Sequence, residues 1–165
     1  MFKIGDYVVH SGHGVCLIID KNFDENLNKD FYKLQTIHNN MSIKMPCDKA
    51  DSFLRSILSK EDLAKTMNEA ILLSDEYIKD NKERKIKFQA LIMSNDINDT
   101  IILLKSLYHL SDDKKKEKKT LGSFDTQFLQ QAERKLFNEV AISIGISSLE
   151  AQDYVYEHLK VAKVI

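Results

Sequence analysis

The spacing of hydrophobic positions changes once along this chain. Up to residue 57 they alternate with polar ones or run in short apolar stretches broken by turn formers; from residue 59 they recur every three or four positions. The first regime predicts strands and the second predicts helices. Ile4, Val8, Val15, Leu17 and Ile19 supply apolar residues for an opening hairpin, and Gly5, Gly12 and Gly14 punctuate it. Residues 16–19 continue the second strand, residues 22–30 are rich in turn formers and read as a loop, and residues 31–37 form a third strand. In a fourth strand over 41–46, Met41, Ile43 and Met45 alternate with Ser42 and Lys44, and Pro46 ends it because proline donates nothing to a ladder. Residues 53–57 offer a short strand to close the sheet. Four or five such strands with polar turns predict a small Tudor-like or SH3-like β-barrel.

The rest reads as helix. Ser59 is placed to cap a helix carrying Leu63, Met67, Ala70 and Ile71. Residues 74–76 offer caps for a second helix running through Met93, and Asp96 caps a third with Ile97, Ile101, Leu104 and Tyr108. Residues 111–120 are polar throughout and read as a solvated connection. Ser123 then caps a helix whose apolar set is Phe124, Phe128, Ala132, Leu136, Val140 and Ile144, and Gly145 stops it. Ser147 and Glu150 have the spacing of a capping box for a last helix. The fold class is therefore α+β, with a β domain over 1–58, an all-helical domain over 59–165, and a hinge within 55–60.

Composition narrows the function. The formal net charge is −1, with 24 Lys plus Arg against 25 Asp plus Glu. This excludes a globally basic nucleic-acid binder but leaves room for a local basic patch. The apolar runs are too short and too interrupted for a membrane span or a signal peptide, so a cytoplasmic protein is expected, with Cys16 and Cys47 as reduced thiols.

Chemistry-bearing patterns are few. His10, His13 and Cys16 are zinc-ligand types, but they lack paired C-x-x-C knuckles, and the plainer reading is a turn histidine beside a small buried thiol. No Walker loop and no nucleophile elbow occurs, so neither a catalytic residue nor a cofactor is expected. The segment 79–87 is more informative. It gathers Lys79, Lys82, Arg84, Lys85 and Lys87 on one helix, which suits phosphate contact or, as plainly, a solvated surface face. Lys44 on the polar side of the fourth strand either discourages edge pairing or faces a partner that adds a strand.

Together the stretches Phe2-Lys3-Ile4-Gly5-Asp6-Tyr7-Val8-Val9, His13-Gly14-Val15 and Met41-Ser42-Ile43-Lys44-Met45-Pro46 resemble the CarD family of bacterial RNA-polymerase-binding transcription regulators. Ser94-Asn95-Asp96-Ile97, residues 132–136 and Glu139-Val140-Ala141 extend the resemblance into the helical half. The N-terminal motif is shared with the polymerase-interacting domain of transcription-repair coupling factors, which also carry a helicase motor that this chain lacks. The resemblance implies a Tudor-like domain docked on the RNA polymerase β subunit. It also implies a helical domain at promoter DNA by the upstream edge of the melted bubble, stabilising the open complex. Lys44 matches a basic position at the polymerase contact. Asn81, Lys82, Arg84, Lys85 and Lys87 fall in the DNA-facing segment. Better-known members open that segment with a tryptophan; here Asn81 stands near that position and the chain has no tryptophan. Ser11 replaces the family's usual proline in the first turn. The alternative reading is a protein-interaction adaptor with no DNA contact. A third is a small thiol or metal protein using Cys16 and His13.

Overall fold

The computed structural model describes residues 1–160. The α+β layout is present: a five-stranded antiparallel sheet comes first and helices follow. The chain divides into two compact units, Met1–Ile57 and Leu58–Ile165. Residues 161–165, the end of the expected helical domain, lie outside the described residues.

In the first unit, β1 (Tyr7–His10), β2 (Gly14–Asp24), β3 (Lys29–Thr36), β4 (Ser42–Pro46) and β5 (Leu54–Ser56) pair in the order β4-β3-β2-β1-β5. The sheet therefore has two hydrogen-bonding ends, β4 and β5, and no ladder between them closes a barrel among the described residues. The reason is local. After Pro46 the chain winds through a 3₁₀ turn (Cys47–Lys49) and a short helix, α1 (Ala50–Phe53), and so delivers the three-residue β5 to β1. Gly5 has φ of +93°, a conformation that strains any residue with a Cβ, and its N–H donates to the Ile18 carbonyl at 2.8 Å. The core beneath the sheet is Val8, Cys16, Ile18, Tyr32, Leu34, Met45, Ala50 and Leu54. Ile4 lies outside it and is exposed. The expected loop over 22–30 shrinks to residues 25–28, because Asn22, Phe23 and Asp24 pair with Phe31, Asp30 and Lys29. Asp24 holds this tight turn by accepting the N–H groups of Asn26 and Leu27.

The second unit contains α2 (Lys60–Glu69), α3 (Asn81–Met93), α4 (Ile97–Lys116), α5 (Ser123–Ile144) and α6 (Ser148–Leu159). Ser59 and Asp96 cap α2 and α4, the Ser147–Glu150 capping box is formed, and Gly145 ends α5 with φ of +78°. Leu63, Met67, Phe88, Leu104, Leu107, Ala132, Leu136, Val140 and Val155 lie in one buried cluster.

Three expectations change here. The second long helix starts at Asn81, not near residue 74. A 3₁₀ turn (Ala70–Leu72) follows α2, the Lys105 ammonium donates to the carbonyls of Ala70, Ile71 and Leu73, and the chain leaves the turn extended at Leu73. Next, α4 runs on to Lys116, because Leu110 and Ser111 are still buried and Lys114–Lys116 suit the negative end of the helix. Finally, the cap of α5 is Gly122. Ser123 moves inside the helix, and Phe124 is left exposed at its tip while Phe128 and the apolar positions after it are buried or half-buried.

One half-buried acid makes the second unit's stability depend on pH. Tyr108 and Tyr156 both donate to Glu133 Oε1, at 2.9 and 3.2 Å. Desolvation outweighs these bonds and raises the Glu133 pKa. With a folded pKa above the unfolded one, Glu133 favours the fold at acidic pH and loses that contribution as pH rises through the folded value. Glu133→Gln keeps an oxygen for both tyrosines and removes the charge. The variant is expected to be more stable than the parent at pH 7, by less than about 2 kcal/mol, with the gain shrinking toward pH 4. Urea denaturation across that pH range checks it.

Candidate functional site

The two expected contact regions fall in different units, and each is described separately. In the first unit, β4 is an end strand, so among the described residues one side of its backbone has no neighbouring strand. Ser42 and Lys44 point outward, while Met45 points into the core. Lys44 lies directly opposite Lys33 on β3. Like charges so placed repel, and Asp24 supplies the counter-charge with Oδ2 at 2.6 Å from Lys44 Nζ. The hydrogen bond from Lys44 is the main cause that lowers the Asp24 pKa. The same ammonium sits 4.2 Å from the centroid of the Phe31 ring. The ammonium thereby reaches back over β3 to the end of β2, while the lysine side chain stays 58% exposed. Asp24 and Phe31 were not legible as its supports, because strand pairing across a turn brings them to it.

In the second unit, the basic residues expected to act together separate. Arg84 is buried, and its guanidinium is fully engaged inside the protein. Nε–H donates to Asp125 Oδ1 at 3.0 Å and Nη2 to Asp125 Oδ2 at 2.7 Å. Nη1 donates to the carbonyls of Ile78 and Lys79, both at 3.1 Å, and Nη2 to Asn81 Oδ1 at 2.8 Å. Those bonds occupy all the N–H groups an arginine has. Arg84 therefore fastens the strap before α3 to the first turn of α5, and its expected place among the DNA-facing residues gives way to a structural one. Its partner lies 41 positions away, beyond any local pattern. Asn81 takes part in the same lock through its carbonyl oxygen.

Lys82, Lys85, Ile86, Gln89 and Met93 share the exposed face of α3, as their three- and four-residue spacing requires. Among the described residues Lys82 has no ion-pair partner. Lys85 stands over the Phe124 ring, 3.7 Å from its centroid. Lys87 is turned to another side, 3.8 Å from Glu76. The exposed cations of the segment are thus Lys79, which precedes α3, Lys82 and Lys85, and Lys114 from the end of α4 borders the same groove as Lys85.

The cysteine and histidine pattern brings no reactive group forward. Cys16 is buried in the sheet, its thiol pushed up to about 11 by desolvation, and a thiol so raised is a poor nucleophile. The His10 Nδ1 accepts the Gly12 N–H at 3.0 Å, which shapes the turn. Among the described residues no three His, Cys, Asp or Glu side chains gather as metal ligands. No described helix is long and apolar enough to cross a membrane.

Residues 2–58 match the family model of the CarD-like/TRCF RID domain, the RNA-polymerase-interacting domain shared by CarD-like proteins and transcription-repair coupling factors. No curated protein matches the chain.

Proposed function

We propose, from the CarD-like/TRCF RID domain that residues 2–58 carry, that this protein is a non-catalytic transcription regulator. Its first unit docks on the β subunit of RNA polymerase and its helical unit meets promoter DNA near the upstream edge of the bubble. The domain family is one of protein interaction and of polymerase binding. The match over 2–58 carries the reading, and the open edge of β4 with Lys44 supplies a surface suited to it. A strand of the partner adding to β4 would satisfy backbone groups that no strand of this unit satisfies, while Lys44 selects an acidic neighbour. DNA contact falls to Lys82 and Lys85. Two or three phosphate contacts give weak binding alone, and tethering to polymerase raises the local DNA concentration. Such a contact modulates how long the open complex lasts.

Lys44→Glu tests the docking. Exposed ion pairs contribute at most about 1 kcal/mol, so the variant is expected to fold. Its capture of the β subunit is expected to fall by at least about tenfold, the change worth 1.4 kcal/mol. Unchanged capture would reject the Lys44 edge as the docking surface.

The exposed Ile86 and Met93, at 65% and 46%, give the adaptor reading its one specific support, because they sit among the lysines of α3. Salt decides between the two readings. Phosphate contact predicts that binding of the polymerase-bound protein to promoter DNA weakens steeply with salt, and Lys82→Gln with Lys85→Gln flattens that slope. A slope the pair leaves untouched favours the adaptor.

A further inference from the structure

Glu139 on α5 is 1% exposed. A carboxyl group that deep costs free energy unless hydrogen bonds answer it. One of its bonds reaches the first residue of the helical unit, 81 positions back: Oε1 accepts the Leu58 N–H at 3.2 Å. Four residues further along α5, Ser143 Oγ donates to the Leu58 carbonyl at 2.7 Å. That spacing puts both side chains on one face of the helix, and together they hold both backbone groups of a single residue. The Leu58 side chain packs against the helical core as well. Leu58 is thus fixed to its unit by its N–H, its carbonyl and its side chain.

Helix formation does not call for this arrangement. Ser59 caps α2 by accepting the Asp62 N–H, with no help from Leu58. What the two bonds decide is how much chain is left between the units. The ladder of the first unit runs to the pair of Ser56 with Val8, and Ile57 alone separates Ser56 from Leu58. Two peptide steps span at most about 7 Å. The length of such a connection matters once one unit is bound and the other has to find a second partner. Beyond the span it must cover, the effective concentration falls roughly as the −3/2 power of linker length.

We propose that Glu139 and Ser143 form a linker clamp. By fixing Leu58 they confine the hinge expected within 55–60 to Ile57, and so keep the lysines of α3 at high effective concentration near promoter DNA once the first unit is docked. Neither residue touches DNA or polymerase; both act by positioning. The inference rests on the proposed docking and DNA contact, and adds the device that couples them.

The test uses the full chain and three variants: Ser143→Ala, Ser143→Thr, and an insertion of Gly-Ser-Gly-Ser between Ile57 and Leu58. Spin labels at Glu25→Cys and Glu157→Cys, both exposed positions, in a Cys47→Ser background give the distribution of distances between the units. It is expected to widen in Ser143→Ala and further in the insertion, and to stay as in the parent in Ser143→Thr, which keeps the hydroxyl. Polymerase capture and binding of the free protein to DNA are expected to be unchanged in all three. Binding of the polymerase-bound protein to promoter DNA should weaken roughly tenfold in the insertion, which lengthens the free stretch from one residue to five. Ser143→Ala should weaken it less, and Ser143→Thr should leave it alone. A distribution that Ser143→Ala does not widen would overturn the clamp. So would an insertion that leaves promoter binding of the polymerase-bound protein intact; in either case the DNA contact itself stands. Loss of DNA binding by free Ser143→Ala protein would make the bond a support of helical packing and overturn the proposal too. If the polymerase-bound parent makes no salt-dependent contact with promoter DNA, the DNA reading fails, and the coupling proposed here fails with it whatever the distance distributions show.

Discussion

Replacing Arg84 with methionine is expected to lower the stability of the helical unit by about 3–5 kcal/mol, the usual cost of leaving one member of a buried ion pair alone. Both side chains of the Arg84–Asp125 pair are less than a tenth exposed. The variant strands the Asp125 carboxylate and also removes the donors that serve the Ile78 and Lys79 carbonyls and Asn81. Pairing Arg84→Met with Asp125→Leu removes the orphaned charge and is expected to recover much of the loss. Recovery stays incomplete, since the strap carbonyls still lack their donor. Urea midpoints for the two single variants and the double variant close the cycle. A loss below about 1 kcal/mol for Arg84→Met would place the pair among ordinary surface ion pairs and remove Arg84 as the fastening of this corner.

That fastening changes how a charge reversal at Arg84 is to be interpreted. Arg84→Glu places a second carboxylate against Asp125 in a buried site, so any effect on promoter DNA follows from a disturbed α3–α5 corner. Lys82 and Lys85 are the positions where charge can be removed without touching the lock.

Local rules carried well where the determinant was local. Ser59, Asp96, the Ser147–Glu150 box and Gly145 each act within one turn of helix, and each was readable from residue type and spacing. The strands were readable for the same reason, since alternation along Ser42–Pro46 is a property of the segment itself. Failures came where a distant group decides. The strap before α3 is helix-compatible in sequence, yet Lys105 and Arg84 take up its carbonyls from outside. Residues 111–116 looked solvated because lysines dominate them, but burial of Leu110 and Ser111 carries α4 onward. Barrel closure needed the path of residues 47–53, which alternation does not describe. At the candidate sites, residue type showed that cations were present. It did not show which were accessible: Arg84 and Lys85 are adjacent in sequence, and one turns into the protein while the other turns out.

A comparable effect on the helical unit is expected from Leu104→Ala. On α4, buried positions recur on nearly every side of the helix, from Ile97 to Ser111, so α4 is the central helix of its unit. Leu104 is fully buried there. Truncation to alanine loses the transfer energy of the side chain and leaves a cavity that a close-packed interior only partly collapses, about 2–5 kcal/mol in all. For a unit of this size the melting midpoint should fall by more than about 8 °C. The first unit has its own buried cluster, with no residue in common with the helical one, so its strands should keep their protection against proteolysis. Above the lowered midpoint the variant is expected to retain capture of the polymerase β subunit and to lose the salt-dependent contact with promoter DNA. Limited proteolysis beside the two binding measurements checks all three. If polymerase capture disappears together with DNA contact at that temperature, the docking surface does not belong to residues 1–57 alone, and the division of labour between the units fails.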